Sequence, residues 1–253
     1  MSGRRLLAHQ VGLEQRSFWR NPETAFFTFF LPVIFFVLLG SVYGGGDRIK
    51  GYRAPDYLLT GMLGYGVAAT AFSGLAIVLV IRRESGVLKR LRATPLPPWI
   101  YIAAVLLTSL VAFAIEAIVL IVLSMALFGA HFPKSIGSAI VAVLFGGAAF
   151  AVLGVGVSGL VRRAEGASAV ITALYLPLSF ISGAFFSQKN FPGWLKWIAD
   201  LLPLQYFIDL MGSVMLGGAE VWNRPKDVAM IIGWGLVGAL LARRYFRWVP
   251  YEG

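Results

Sequence analysis

Six stretches of the chain are long and almost free of charged residues, and short polar segments separate them. The stretches are residues 24–46, 57–81, 99–129, 135–161, 166–188 and 228–242. A helix needs about 20 mostly apolar residues to cross a hydrocarbon core of ~30 Å, because each residue adds ~1.5 Å. The last stretch has only fifteen, and we expect it to cross only if the bilayer thins or the flanking Lys226, Arg243 and Arg244 reach back to the surface. The pattern predicts an all-α membrane protein with six transmembrane helices in one domain, residues 1–253.

The composition agrees with a membrane protein and gives no support for an enzyme. Hydrophobic residues make up 58% of the 253 residues and charged residues 13%, whereas soluble domains have about 45–50% and about 25%. There is no cysteine for a disulfide or thiolate metal site, and no GxxxxGKS or GxxxxGKT loop for a phosphate. The two histidines, His9 and His131, fall on opposite sides of the predicted membrane. We therefore expect no catalytic residues, no metal site and no cofactor bound by this chain.

The distribution of lysine and arginine predicts the orientation, because these residues favour cytoplasmic segments. With the amino terminus inside, fourteen of the 22 fall on the cytoplasmic side and eight outside. Both termini are then cytoplasmic, and the net charge of +10 reflects topology and not a nucleic-acid partner. No small-residue cleavage site follows the first stretch, so we expect it to stay in the protein as its own membrane signal.

Residues 4–20 form a predicted amphipathic helix on the inner membrane surface. On a helical projection Leu7, Val11 and Phe18 cluster, with Trp19 beside them, and these are its predicted interface residues. The opposite side carries charged and polar residues such as Arg16. Glu14 interrupts the apolar face.

The segment RRESGVLKRLRATPLPP, residues 82–98, is strongly polar and lies between two apolar stretches. Gly86 permits a tight turn, and the prolines at 95, 97 and 98 are expected to end the short helix that follows it. Leu88 and Leu91 give that helix an apolar side, while Lys89 and Arg90 lie elsewhere on it. We also expect Glu84 to pair with Lys89 or with the neighbouring Arg83. A basic loop resting on anionic lipid is the simpler alternative.

Two further features attract attention. Glu116 is an ionisable residue in the middle of the third stretch, where it either bonds a neighbouring helix or contacts a substrate or ion. Residues 189–227 are aromatic but interrupted by Pro192 and Pro203. They predict short helices that lie at the outer interface or dip into the membrane and return, because a seventh span would move the basic carboxyl terminus outside.

Two motifs resemble one known family, the ABC transporter type-2 permeases. The first is similar to the family's R-E-x-G-x-L-K/R-R-L-x-A/G-T-P loop between the second and third spans. Its matching residues are Arg83, Glu84, Gly86, Leu88, Lys89, Arg90, Leu91, Ala93, Thr94 and Pro95. The second resembles the S-G-x-F-F, P-x-W-L and P-L-x-Y-x-x-D segment after the fifth span. It matches at Ser182, Gly183, Phe185, Phe186, Pro192, Trp194, Leu195, Pro203, Leu204, Tyr206 and Asp209. One departure is Gln188, near where many relatives have proline.

The resemblance implies the membrane subunit of an exporter in a bacterial or archaeal inner membrane. Two permease chains, identical or homologous, would form the pathway, and two cytoplasmic ABC ATPase subunits would bind ATP and magnesium beneath them. The 82–98 loop would be the coupling helix that docks into the ATPase. The loop is most similar to the drug-export, daunorubicin-resistance-like branch, so a hydrophobic or amphipathic compound is the expected substrate. A lipid, glycolipid or polysaccharide carrier is the alternative, and a non-transporting assembly protein the alternative from another class.

Overall fold

The computed structural model describes residues 3–43, 48–49, 51–131, 133–186 and 188–251. Within these ranges the side chains of Glu23, Thr24, Phe27 and Asn190 are not described. Its helices are α1 Gly3–Trp19, α2 Pro22–Tyr43, α3 Ala54–Gly66, α4 Leu75–Glu84, α5 Val87–Arg92, α6 Pro98–Phe128, α7 Ile136–Ser158, α8 Ala167–Ile181, α9 Gly193–Leu201, α10 Pro203–Met215 and α11 Pro225–Tyr245. A π-helical segment, Val67–Gly74, joins α3 to α4, and 3-10 turns cover Gln188–Asn190 and Val221–Asn223. Two-residue strands β1 (Arg48–Ile49) and β2 (Tyr52–Arg53) pair antiparallel. The protein is an all-α membrane protein, as predicted.

Four helical segments of the described chain are long and apolar enough to cross a membrane. They are Ala54–Glu84, Pro98–Phe128, Ile136–Ser158 and Pro225–Tyr245. The last is 21 residues long and contains the predicted span 228–242 together with the flanking Lys226, Arg243 and Arg244. Pro225 occupies the first turn, where its missing N–H costs no hydrogen bond, and the apolar run continues into Arg243 and Arg244.

The predicted first and fifth spans correspond to shorter apolar helices. The apolar part of α2 is Thr28–Tyr43, and α8 has 15 residues. The predicted end of the first span, Gly44 to Gly46, lies outside the described residues. Six spans remain a prediction.

The region 189–227 forms short helices, as expected. Helices α9 and α10 meet at an angle of 83°, and Leu202 between them is extended (φ −82°, ψ 133°). The break follows from Pro203, because a proline disfavours helical backbone at the residue before it. The pair is therefore one broken or re-entrant apolar unit.

The centre of the bundle is the continuous helical segment 54–84. Its residues Leu58, Met62, Leu63 and Val67 have no exposed surface. Helix α7 packs against α11 so closely that a Cβ at Gly156 would lie 2.5 Å from the Gly238 carbonyl oxygen. Close approach through small residues is the usual way that membrane helices associate.

Side-chain contacts divide the loops into two ends of the bundle. At one end Arg83 reaches the carboxyl end of α7, and the Tyr251 hydroxyl donates to the Gly159 carbonyl (2.9 Å). At the other end Arg53 donates to the Gly129 carbonyl (2.8 Å), and His131 contacts Asp56 (3.4 Å). The first end carries α1, α5 and the carboxyl terminus, so it is the end predicted to face the cytoplasm.

Candidate functional site

The predicted coupling segment, residues 82–98, forms a tight elbow between two long helices. Helix α4 ends at Glu84, Ser85 and Gly86 turn the chain, and α5 follows as a helix of six residues. Gly86 has φ +72°, a left-handed conformation that a residue with a Cβ adopts only at a cost. After α5 the Thr94 hydroxyl donates to the Leu91 carbonyl (2.6 Å) and accepts from the Leu96 amide (3.4 Å), which fixes the turn into α6.

The prolines do not all act as predicted. Pro95 and Pro97 follow the helix, but Pro98 is the first residue of α6. That position tolerates proline because its N–H would have no helical partner. The elbow is thus bounded on both sides by defined helix termini.

Arg83 is buried inside the protein, with 1% of its surface exposed. Its guanidinium donates to three carbonyls around the end of α7, those of Ser158 (2.9 Å), Val161 and Arg162 (3.3 Å). It also pairs with Glu84 (3.3 Å) and lies 4.8 Å from the centre of the Tyr251 ring. Arg83 therefore anchors the elbow to α7 and to the carboxyl-terminal segment, and its side chain is not on the predicted docking surface.

The apolar side of α5 packs on the protein itself. Leu88 is fully buried and Leu91 partly buried against the same core. The apolar face of α5 therefore packs largely against the same chain and is not available to a partner. The exposed residues from α5 to the following turn include Lys89, Arg90, Arg92, Thr94 and Pro95. They define what we call the elbow surface, a basic patch at the tip of a rigid turn.

A second anchor ties the elbow to the amino-terminal helix. The Arg82 Nη1 atom donates to Glu14 Oε2 (2.6 Å) and to the Tyr101 hydroxyl (2.9 Å). Gln10 donates to the other Glu14 oxygen (3.2 Å). One ion pair thus joins α1, α4 and the start of α6. The residue that seemed to spoil the apolar face of α1 is the one that attaches it.

The remaining inward residues of α1 follow the predicted face. Leu7, Val11 and Phe18 are partly buried, and they share the side of Glu14 at helical spacing. Trp19 is 48% exposed and stacks on Phe29 with ring centres 5.6 Å apart. Helix α1 lies along α6 and α2, so it is held to the bundle by contacts of its own as well as by any membrane surface.

Glu116 lies on α6 without any exposed surface. Its Oε2 accepts a hydrogen bond from the Thr70 hydroxyl (2.7 Å), and its Oε1 has no hydrogen-bond partner among the described residues. The Oε1 atom rests against Gly66, where a Cβ would overlap it. Thr70 belongs to the π-helical segment, a distortion often found at functional positions. The structural contact predicted for Glu116 is therefore present through Oε2, while Oε1 accepts no hydrogen bond from the described residues.

The second motif is divided between core and surface. Phe185 and Tyr206 are buried, and the Tyr206 hydroxyl donates to the Asp200 carbonyl (2.6 Å). Phe186 and Trp194 are exposed, at 43% and 66%. Pro203 and Asp209 are partly buried on α10, where the Asp209 carbonyl accepts from the Ser213 hydroxyl (2.8 Å).

Residues 11–216 match the family model described as ABC-2 type transporter. The chain belongs to this family. The matched range runs from the middle of α1 to the residue after α10, so it contains the elbow, both of its anchors and the broken helix pair.

Named relatives agree with this assignment. The chain is 24% identical over 245 residues to a Bacillus subtilis (strain 168) protein named "Putative transport permease YvfS", covering 94% of this chain and 96% of the relative. It is also 27% identical over 230 residues to "Putative transport permease ycf38" of Pyropia yezoensis, and 28% identical over 239 residues to the protein of that name from Porphyra purpurea. These alignments cover 86% and 88% of this chain and 75% and 78% of the relatives. This multi-pass membrane protein is an ABC-2 permease.

Sequence analysis missed the two anchors of this permease. Arg82 and Arg83 count equally as cytoplasmic charges, yet the structure buries one and pairs the other with a residue 68 positions away. A weak signal was present, because a lone acid on the apolar face of an amphipathic helix needs a cation opposite it. The sequence does not say which cation that is.

Proposed function

We propose that this ABC-2 permease is the transmembrane subunit of an ATP-driven exporter in a bacterial or archaeal inner membrane. Two ABC ATPase subunits bind beneath a pair of permease chains, identical or homologous, and the elbow surface is where the ATPase docks. The ATPase subunits bind ATP and magnesium, and this chain forms the path across the membrane. Both of its termini lie on the cytoplasmic side.

The observation that carries this proposal is the combination of an exposed tip and a fixed base. Lys89, Arg90 and Arg92 are exposed on a six-residue helix, while the residues just before them, Arg82 and Arg83, are bound into the bundle. A basic loop that only rests on lipid needs charge but needs neither anchor. A force applied to the tip passes through Arg83 to α7 and through Arg82 to α1.

Movement of the ATPase subunits on binding ATP would shift α4, α7 and α1 together. Packed helices move as rigid bodies in such transitions, since close-packed interfaces change between discrete arrangements and do not deform continuously. Helix α7 contacts both α11 and the segment 54–84, so displacement at the elbow reaches the centre of the bundle. The expected result is export of a hydrophobic or amphipathic, drug-like compound from the cytoplasm or inner leaflet.

Co-purification with the cognate ATPase tests the proposal. In a Lys89→Glu/Arg90→Glu variant we expect the purified permease to keep its thermal stability and to lose the ATPase. Both side chains are exposed, so reversing them leaves internal contacts intact while opposing an acidic docking site.

The matched control is Arg243→Glu/Arg244→Glu at the end of α11, two basic residues with exposed side chains at the same end of the bundle. This variant should retain the ATPase. Equal binding by the elbow variant and wild type, or equal loss in both variants, would show that the elbow surface is not the docking site.

A further inference from the structure

A surface groove of about 460 Å³ lies where α1 turns into α2. It is lined by five residues, all of them exposed: Leu13, Arg16, Ser17, Arg20 and Asn21. They come from the second half of α1 and from the two residues that link α1 to α2. No acidic residue is among them. The groove is therefore a positively charged concavity that one chain forms by itself.

The two arginines of the groove lie side by side. The Arg20 amide donates to the Arg16 carbonyl (3.0 Å), so helical spacing continues to Arg20 and the two side chains are neighbours on one face. Neither guanidinium makes a hydrogen bond or an ion pair within the part of the chain that the structure describes. The acid of the same helix, Glu14, is already bonded to Arg82 and Gln10. Two adjacent guanidiniums without an acid favour an anion between them, and phosphate oxygens match their paired N–H groups.

The groove lies at the point where the chain enters its apolar region. Trp19 stacks on Phe29 with ring centres 5.6 Å apart, so the end of α1 lies beside the first turns of α2. Helix α2 exposes Phe26 and Phe30 there, at 52% and 41%. Lipid headgroups occupy the boundary between such exposed apolar side chains and water, a depth that tryptophan also favours. A lipid beside α2 therefore brings its phosphate to the level of the groove.

The other lining residues favour a lipid over an inorganic anion. Leu13 is 43% exposed at the groove, where it can contact the glycerol backbone or the first methylene groups of a lipid. A free phosphate gains nothing from such an apolar contact. Ser17 follows Leu13 by one helical turn, and its hydroxyl can donate to a phosphate oxygen or accept from a headgroup hydroxyl.

We propose that this groove binds one anionic phospholipid, such as phosphatidylglycerol, from the leaflet on the elbow side. The phosphate lies between Arg16 and Arg20, and the acyl chains lie along α2. Because Glu14 joins α1 to Arg82, a lipid bound here holds the helix that is attached to the elbow. The proposal concerns the permease alone and does not depend on export or on the ATPase.

Native mass spectrometry of the full-length permease tests this proposal by resolving each bound lipid. The probes are dioleoyl phosphatidylglycerol and dioleoyl phosphatidylcholine, which share the same chains and differ in the net charge of the head. We expect the first phosphatidylglycerol to bind wild type about tenfold more tightly than phosphatidylcholine. Arg16→Gln/Arg20→Gln should weaken it by about tenfold or more, since each basic residue near an anionic head contributes about fivefold. Glutamine preserves helix propensity, so this variant should unfold at the wild-type temperature.

The matched control is Arg4→Gln/Arg5→Gln, which removes the same charge from two exposed residues at the other end of α1. Arg5 is about 16 Å along the helix from Arg16, farther than the Debye length of about 8 Å at physiological salt. The control should bind phosphatidylglycerol within about twofold of wild type. Equal binding of the two lipids, unchanged binding by the groove variant, or equal loss in both variants would overturn the proposal.

Two further comparisons separate a lipid from other anionic partners. Inorganic phosphate in excess should leave the bound phosphatidylglycerol in place, and its displacement would show a site for a free anion. A groove variant that keeps phosphatidylglycerol but loses the ATPase would assign the groove to the ATPase contact. Either result would overturn the proposal.

A wild-type measurement guards against variants that fail to fold. The permease is placed in vesicles of phosphatidylcholine and phosphatidylglycerol that contain a phosphatidylglycerol analogue with a photoreactive group on its head. The analogue should label residues 13–22, as read by peptide mass spectrometry. Labelling confined to other segments would refute a site at this groove.

Discussion

Replacing Arg83 tests whether this residue anchors the elbow internally or contacts the ATPase. In wild type the guanidinium satisfies the carbonyls of Ser158, Val161 and Arg162 in a site that is 1% exposed. Arg83→Met keeps a long apolar side chain but leaves these acceptors without a donor. Each unsatisfied buried carbonyl costs about 1–3 kcal/mol, so with those of Ser158 and Val161 affected the loss is about 2–6 kcal/mol. The substitution also removes the partner of Glu84, whose carboxylate is partly exposed and can be solvated instead.

The assay is thermal unfolding of the purified permease without ATPase. For a chain of this length each kcal/mol lowers Tm by about 2–4 °C, so Arg83→Met should melt roughly 4–24 °C below wild type. The matched control is Arg90→Met, which changes an exposed arginine six residues after Glu84 on the same elbow. It should melt within about 2 °C of wild type. If Arg83→Met were as stable as wild type and lost only the ATPase, Arg83 would be a docking residue and the anchor would be refuted.

Three further predictions concern the elbow, its attachment to α1 and the buried acid. Gly86→Ala should destabilise the permease by about 1–2 kcal/mol because its φ is +72°, while Gly12→Ala on the exposed side of α1 should not; thermal unfolding compares them. A double-mutant cycle with Glu14→Gln and Arg82→Met should give a coupling of about 1–3 kcal/mol, and additive effects would contradict the ion pair. Glu116→Gln should fold and bind the ATPase normally, since an amide oxygen can still accept from the threonine; full transport of every amphiphile tested would leave that residue a purely structural role.

Much of the helical layout could be predicted from the sequence. Apolar stretches longer than about 20 residues have few alternatives to a membrane helix, because unsatisfied backbone groups cannot be left in hydrocarbon. This argument located the helices now seen at Pro98–Phe128 and Ile136–Ser158 within three residues at each end. The helix Pro225–Tyr245 likewise extends three residues beyond the predicted 228–242 at each end, since helical hydrogen bonding continues through charged flanking residues that a hydropathy argument leaves out.

At the elbow the sequence pattern predicted the backbone elements but not the directions of the side chains. Gly86 and the prolines predicted a turn, a short helix and a stop, and the chain forms that sequence of elements. The direction of each side chain depended on residues far away. Leu88 turned inward because the bundle offered an apolar surface beneath it, and Arg83 turned inward because the end of α7 presented unsatisfied carbonyls.

The sequence by itself determined that the chain is an all-α membrane protein with a basic elbow, because backbone satisfaction and hydrophobic burial act locally along each helix. Tertiary structure decided which polar residues are anchors and which are surface. Those roles depend on carboxylates, carbonyls and hydroxyls that come together only after helices pack. Arg82 finds Glu14 across 68 residues, and Arg83 finds the Ser158 carbonyl across 75.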